Sequence, residues 1–188
     1  ARPEVAAITG RAETGAVLFE KDADQRVPPA SMSKLMTIYM VFERLAAGTL
    51  KLDDTFLVSE RAWRTGGSKM FVGIGERVTV DDLLRGVIVQ SGNDACIVLA
   101  EGLAGDEAAF AQSMTKAAKR IGLKNSTFAN STGLPDPDHL MTSRDLALFP
   151  GNTLFERIGR AVCAAGCLPR KELYEAWEVA RRVRRVLR

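Results

Sequence analysis

The sequence predicts an α+β fold in which a short β-hairpin precedes a helical region. Near the N-terminus, two apolar and partly β-branched segments flank Glu13, Thr14 and Gly15, residues that are typical of turns. Further along, apolar residues recur every three or four positions in several segments, which indicates amphipathic helices. The sequence has no internal repeat, and its 188 residues favour one domain or one domain with a tail.

The hairpin is expected over residues 5–20 and the first helix over about 31–47. Pro28 and Pro29 interrupt the chain between these two elements, and Gly48 is a plausible helix end. One face of the predicted helix carries the apolar residues Leu35, Ile38, Phe42 and Leu45.

Further helices are predicted after a segment without helical periodicity. Residues 49–78 contain paired glycines and are expected to form loops and short strands. Thr79 followed by Asp82 is a variant of the capping box that begins a helix, and Gly122 is a natural helix end. Residues 125–137 are rich in turn-forming types. The predicted helices span about 79–89, 94–103, 106–121 and 143–150.

The net charge argues against a nucleic-acid-binding protein, and the hydropathy argues against a membrane-spanning helix. The net charge of +3 is too small to suggest a nucleic-acid-binding protein. No apolar run approaches the roughly 18–20 residues of a membrane span, and no charged-then-apolar stretch typical of a signal peptide is recognised. Residues 1–150 hold 17 basic and 19 acidic side chains, whereas residues 151–188 hold 9 and 4. This change of sign predicts that the C-terminal segment differs in character from the rest.

The cysteines and paired acids do not predict a metal or cofactor site. An odd number of cysteines argues against a disulfide scaffold. These cysteines are Cys96, Cys163 and Cys167. The last two lie i, i+4 on a predicted helix, a spacing that suits a metal, but no histidine or acidic residue clusters with them. The acid pairs at 53–54 and 81–82 are interpreted as turn or helix-start residues, and no glycine-rich phosphate loop occurs.

The start of the first predicted helix carries a candidate nucleophile and base. Ser31 and Lys34 are three residues apart, so on a helix their Cβ atoms lie about 5–6 Å apart on one face. A serine needs a neighbouring base to act as a nucleophile, and a lysine with a lowered pKa can serve. The positive end of the helix favours a developing oxyanion.

Structural interpretations of the same residues stay open at this point. Ser31 is also a suitable N-cap for a solvated helix start, and residues 91–93 suit a polar turn between helices. His139 is the only histidine, so a Ser-His-Asp triad would require it. We expect His139 to be a solvated loop residue because it lies in the turn-rich stretch.

Five segments together resemble the low-molecular-weight penicillin-binding proteins, the D-alanyl-D-alanine carboxypeptidases of serine peptidase family S11. The first contains the S-x-x-K pattern of Ser31 and Lys34, and another contains an S-x-N pattern at Ser91 and Asn93. A third resembles the family's loop beside the active-site cleft. In chain order, the segments are residues 28–37, 63–71, 89–95, 130–135 and 141–147. The resemblance runs from about residue 5 to 149.

The resemblance implies a role for each of four residues. Ser31 would attack the peptide bond between two terminal D-alanines, and Lys34 would take its proton as general base. Ser91 would relay a proton to the leaving group, and Asn93 would hydrogen-bond the substrate amide. The implied partners are peptidoglycan pentapeptides that end in D-Ala-D-Ala and β-lactams as covalent inhibitors, with no cofactor. The implied location is the periplasm or the extracytoplasmic face of the bacterial inner membrane.

The third motif of that family, K-T-G, does not occur after residue 93. Arg64, Thr65 and Gly66 imitate it, but they precede S-x-N and are interpreted as coincidence. The resemblance therefore implies an incomplete β-lactamase/transpeptidase-like fold: the N-terminal hairpin and a helical region, without the later strands of the central sheet. We expect weak or no turnover, and oligomerisation through apolar surface that the missing strands would cover.

The last part of the sequence allows three interpretations. We expect residues 1–149 to form a partial carboxypeptidase domain and residues 150–188 a basic helical tail. The tail could result from truncation and fusion, pack on the domain, or lie as a cationic amphipathic helix on a membrane surface. Truncation or fusion is the favoured interpretation. Rival functions are a β-lactamase or S-x-x-K esterase, and a non-catalytic remnant.

Overall fold

The computed structural model describes residues 6–10 and 16–151. The strands are β1 (Ala7–Gly10), β2 (Val17–Lys21), β3 (Arg26–Val27), β4 (Thr55–Leu57), β5 (Arg77–Thr79) and β6 (Met141–Thr142). The helices are α1 (Lys34–Ala46), α2 (Glu60–Arg64), α3 (Val80–Gln90), α4 (Asn93–Ala104), α5 (Glu107–Arg120) and α6 (Ser143–Gly151). A 3₁₀ turn, Ala30–Ser33, leads directly into α1. The predicted α+β class is confirmed.

The predicted hairpin is formed by β1 and β2, which pair antiparallel with an irregularity at Thr9 and Gly10. Helix α6 packs against β1, and the Ser143 hydroxyl donates to the Ala6 carbonyl at 3.1 Å. Arg144 binds Glu20 and Asp24 at 2.8–2.9 Å. Helix α6, at the C-terminal end of the described chain, is therefore held against the N-terminal hairpin by hydrogen bonds and ion pairs.

The described part of the chain contains two other antiparallel pairs of short strands. Strand β4 pairs antiparallel with β5, as the prediction of short strands in 49–78 allows. Strand β3 pairs with β6, a contact between residues more than one hundred positions apart. Strands β3 and β6 were not predicted, because two-residue strands are too short to show an alternating pattern.

The core is organised around α4, in which every residue from 93 to 100 is buried. Helices α1, α2, α3 and α5 all pack against it. A helix surrounded on all sides can be apolar around most of its circumference, which explains why α4 lacks a polar face. Large buried side chains from three helices fill the space around it, namely Tyr39, Phe42, Leu83, Leu84, Phe110 and Met114.

The boundaries agree closely with the predicted helices, with one omission. The Thr79 hydroxyl accepts from the Asp82 amide, as the capping pattern predicts, and Gly122 adopts the positive φ of +95° that ends a helix. The prediction missed α2, a five-residue helix capped by Ser59. One turn and a half is too short to establish a helical period.

Several predictions concern residues that the structure does not describe. The basic tail at 152–188, which includes the Cys163 and Cys167 pair, lies outside the described residues. The apex of the hairpin lies outside them as well. Within residues 6–10 and 16–151, no helix is long and apolar enough to cross a membrane. Among the same residues, no group of three or more metal-binding side chains is found.

Candidate active site

Ser31 and Lys34 meet at the junction between the 3₁₀ turn and α1. Lys34 Nζ lies 3.1 Å from Ser31 Oγ. The serine is exposed, whereas only 4% of the lysine is accessible to solvent. The turn is tightened by Ser33, whose hydroxyl donates to the carbonyl of Ala30 at 3.0 Å. An accessible alcohol is thus paired with a buried amine.

The Lys34 amine is also held by a backbone carbonyl. Nζ donates a hydrogen bond of 2.8 Å to the oxygen of Thr132. Burial lowers the pKa of Lys34 from its ordinary value, because removal from water disfavours the charged ammonium; the nearby Cys96 acts in the opposite direction. A neutral amine at this position has a lone pair that can accept the proton of Ser31.

The turn that presents Thr132 is built by Asn130. The Asn130 side-chain oxygen accepts from the amides of Thr132 and Gly133, at 3.1 and 2.7 Å. Gly133 has a φ of +84°, and a Cβ there would lie 1.9 Å from the Ala30 oxygen, so this close approach requires glycine. The family resemblance includes residues 130–135 but does not predict a contact between Thr132 and Lys34. The Asn-Ser-Thr-Gly sequence is typical of a turn, but it does not indicate which residue the turn contacts.

The Ser91-Gly92-Asn93 segment forms the bend between α3 and α4. Ser91 adopts a left-handed conformation with φ 55°, which ends α3. Asn93 is buried at the start of α4, and its side-chain nitrogen donates to the Gly66 carbonyl at 2.7 Å. The backbone N–H of Asn93 donates to the Ser68 carbonyl at 2.8 Å. The bend is therefore joined to the loop at 65–72, hereafter the cleft loop.

Asp94 holds the other part of the cleft loop. Its carboxylate accepts from the amides of Met70, Phe71 and Val72 at 3.0, 2.9 and 3.4 Å. Phe71 has a φ of +64° and a side chain that is 85% exposed. A buried carboxylate with several amide donors is a strong local constraint, and it keeps the cleft loop against α4 although the loop has no regular structure.

His139 corrects one expectation from the sequence. It is 1% exposed rather than solvated, and its Nδ1 accepts from the amides of Ala129 and Asn130 at 3.2 and 3.3 Å. Its ring packs edge-on against Phe128. Burial lowers its pKa. The prediction failed because the turn-rich stretch folds back over the ring, a tertiary contact that local composition does not reveal.

The acid pairs have the local contacts expected of turn and helix-start residues. Asp54 accepts from the Lys51 amide at 2.8 Å, and Asp81 pairs with Arg85 one helical turn later. Cys96 is fully buried, and burial raises the pKa of its thiol to about 12. A thiol in that state is a poor nucleophile. Among the described groups, the Ser31–Lys34 pair has the geometry of an activated nucleophile.

The sequence matches the family described as D-alanyl-D-alanine carboxypeptidase over residues 4–159. It is 42% identical over 136 residues to the D-alanyl-D-alanine carboxypeptidase DacF of Bacillus subtilis, and 45% identical over 141 residues to DacC of Escherichia coli. Each match covers 72% of this chain and 35% of the relative. The chain thus spans about a third of the length of these curated relatives.

Solved structures of the same kind share the fold. The crystal structure of the D-alanyl-D-alanine carboxypeptidase DacD from Francisella tularensis matches with a TM-score of 0.77 at 40% identity, covering 86% of this chain and 40% of that one. Penicillin-binding protein 5 from Haemophilus influenzae matches with a TM-score of 0.76 at 35% identity, covering 86% and 49%. The transpeptidase-like fold is confirmed, and because the family match covers most of the sequence, this chain belongs to the D-alanyl-D-alanine carboxypeptidase family of serine peptidases.

Proposed function

We propose that this chain provides the nucleophile region of a serine-type D-Ala-D-Ala carboxypeptidase that acts on peptidoglycan stem peptides and is acylated by β-lactams. The observation that carries this proposal is the buried Lys34 amine, 3.1 Å from the exposed Ser31 oxygen and fixed by the Thr132 carbonyl. The relatives named as carboxypeptidases support the substrate class. A structural relative, penicillin-binding protein D2 from Listeria monocytogenes, was solved in an ampicillin-bound form.

The proposed reaction proceeds through an acyl-enzyme. Lys34 takes the proton of Ser31 as the serine oxygen attacks the carbonyl carbon between the two D-alanines. The C–N bond then breaks, Ser91 relays a proton to the departing D-alanine amine, and Asn93 hydrogen-bonds the substrate amide. Water hydrolyses the ester and restores Ser31. With a β-lactam, the same attack opens the ring and leaves the acyl group on the serine.

The family assignment supports a proposed location, and exposed apolar surface supports a proposed assembly. The proposed location is the extracytoplasmic side of the bacterial inner membrane, where peptidoglycan is accessible. Val17, Leu18 and Phe19 on β2 are about half or more exposed, which supports the proposal that copies of the chain associate through apolar surface.

A fluorescent penicillin combined with intact-mass analysis tests the function. We expect a covalent adduct on the unaltered chain and none on Ser31→Ala, because the alanine cannot form an ester. Ser113→Ala is the matched control: it removes a serine whose hydroxyl binds the Ala109 carbonyl within α5, and it should retain the adduct.

The fate of the adduct separates the rival functions. Release over many minutes to hours agrees with a penicillin-binding carboxypeptidase, whereas release within seconds indicates a β-lactamase. If the folded, unaltered chain forms no adduct, the proposal is wrong and the chain is a non-catalytic remnant.

A further inference from the structure

A buried carboxylate lies behind the turn that holds Lys34. Glu107 occupies the first turn of α5 and is 4% exposed. Its Oε1 accepts from the amide and the hydroxyl of Ser131, at 2.9 and 2.6 Å, and its Oε2 pairs with Arg61 of α2. Both oxygens are thus used, as a carboxylate removed from water requires.

The residues bound by Glu107 lead directly to the Lys34 amine. The carbonyl of Ser131 accepts from the Thr37 hydroxyl at 2.7 Å, which fastens the turn to α1. The carbonyl of the next residue, Thr132, accepts from Lys34 Nζ. Glu107 therefore fixes Ser131, the residue that directly precedes the one whose carbonyl oxygen orients the lysine.

We propose that Glu107 is a positioning residue that keeps the Thr132 carbonyl in place to orient the Lys34 amine toward Ser31. Its catalytic consequence rests on the proposed role of Lys34 as general base. Without the carboxylate, the Ser131 amide and hydroxyl would be buried without a partner, which is destabilising and favours rearrangement of the turn. The Lys34 amine would then donate its hydrogen bond to water instead of to the fixed Thr132 carbonyl.

Exposure of Lys34 to water has a measurable signature. Burial is the main cause of its lowered pKa, so a rearranged turn should raise the pKa toward the ordinary lysine value. A role confined to folding would reduce the amount of native protein and leave the titration of the native fraction unchanged. The titration of Lys34 thus distinguishes positioning from stability.

The experiment compares Glu107→Ala, Glu107→Gln and the unaltered chain. Chains labelled with ¹³Cε-lysine are titrated by NMR, with the Lys34 signal assigned through Lys34→Arg, and penicillin acylation rates are measured over the same pH range. We expect Glu107→Ala to raise the Lys34 midpoint and slow acylation by on the order of 100-fold, the usual effect of a misplaced catalytic group. Glu107→Gln retains an acceptor for Ser131 and should restore most of the rate.

Glu43→Ala is the matched control. Glu43 also pairs with an arginine, Arg120, but lies near the C-terminal end of α1, away from the 130–133 turn. The Glu43→Ala variant should leave the midpoint of the Lys34 titration unchanged. If Glu107→Ala fails to fold, Ser131→Ala removes one of the two bonds to Oε1 and should raise the midpoint by a smaller amount.

The outcomes separate this proposal from the proposed function. An unchanged Lys34 midpoint in folded Glu107→Ala, or in Ser131→Ala where the first variant does not fold, overturns the positioning role, whatever the acylation rate. If the unaltered chain forms no penicillin adduct, the proposed function fails, while the NMR titration still decides whether Glu107 controls the Lys34 environment.

Discussion

At the scale of single residues, the candidate site depends on a difference in burial between two neighbours. Ser31 is open to solvent, where a substrate can reach it, whereas Lys34 is enclosed. The enclosure lowers the lysine pKa and so increases the fraction of neutral amine near neutral pH. Three residues of separation bring the groups together, and Thr132 selects the orientation of the amine.

The first prediction concerns the pH dependence of acylation. In the proposed reaction Lys34 acts as a neutral base, so the acylation rate should rise with pH, with a midpoint below the ordinary lysine pKa, and level off above that midpoint. Lys34→Arg should lower the rate by about 100- to 10,000-fold, since a guanidinium stays protonated. The measurement is the acylation rate of a fluorescent penicillin from pH 5 to 10. A midpoint at or above the ordinary lysine value would contradict the role of Lys34.

At the scale of elements, α4 organises the irregular parts of the site. Its first two residues, Asn93 and Asp94, bind the cleft loop through side-chain contacts with the Gly66 carbonyl and with the amides of residues 70–72. A loop with few backbone pairs depends on such contacts for its order. The helix start thus fixes both the S-x-N bend and the loop beside it.

Asp94→Asn should release part of the cleft loop. The amide replaces one acceptor oxygen by a donor that faces backbone N–H groups, so we expect the free energy of unfolding to fall by about 1–3 kcal/mol. Hydrogen exchange at Met70, Phe71 and Val72 should accelerate. Asp106→Asn is the control, because asparagine caps a helix as well as aspartate. Exchange that stays equally slow in Asp94→Asn would show that this carboxylate does not hold the loop.

At the scale of the whole molecule, long-range contacts join the ends of the described chain. Strand β3 pairs with β6, and the Arg144 side chain binds Glu20 and Asp24 near the hairpin. The buried His139 belongs to the same region, where residues 125–140 fold back on themselves. Stability in this region should therefore respond to protonation of one histidine.

We predict that mild acid destabilises the protein through His139. Burial lowers its pKa in the folded state, while the unfolded chain titrates near the ordinary value of about 6.5. The unfolded state then binds more protons, so the free energy of unfolding should fall as pH falls from about 7 toward the lowered pKa. His139→Gln should reduce this dependence, as measured by chemical denaturation between pH 7.5 and 5. Equal slopes in both proteins would refute the prediction.

Local patterns predicted the elements whose signals are contained within one segment. The Thr79 cap and the Gly122 helix end are each defined by residues within a few positions, and both occur as predicted. The predicted apolar face of α1 is only part of its buried surface, because every residue from Met36 to Phe42 is buried, whereas Leu35 and Leu45 are partly buried. Helix α2 and strands β3 and β6 are too short for such a pattern. The burial of His139 was missed because its partners, Ala129 and Asn130, contact it through a fold of the turn-rich segment.

The sequence by itself determined the family, through motifs spread over residues 28–147. It also determined the pairing of Ser31 with Lys34, because side chains three positions apart lie on one face of a helix. Only the tertiary structure decided the burial of Lys34, its bond to Thr132 and the support of that turn by Glu107. These contacts join residues 24 to 98 positions apart. The pKa of a group depends on the water and charges around it, so the chemistry of the amine emerges only when distant segments enclose it.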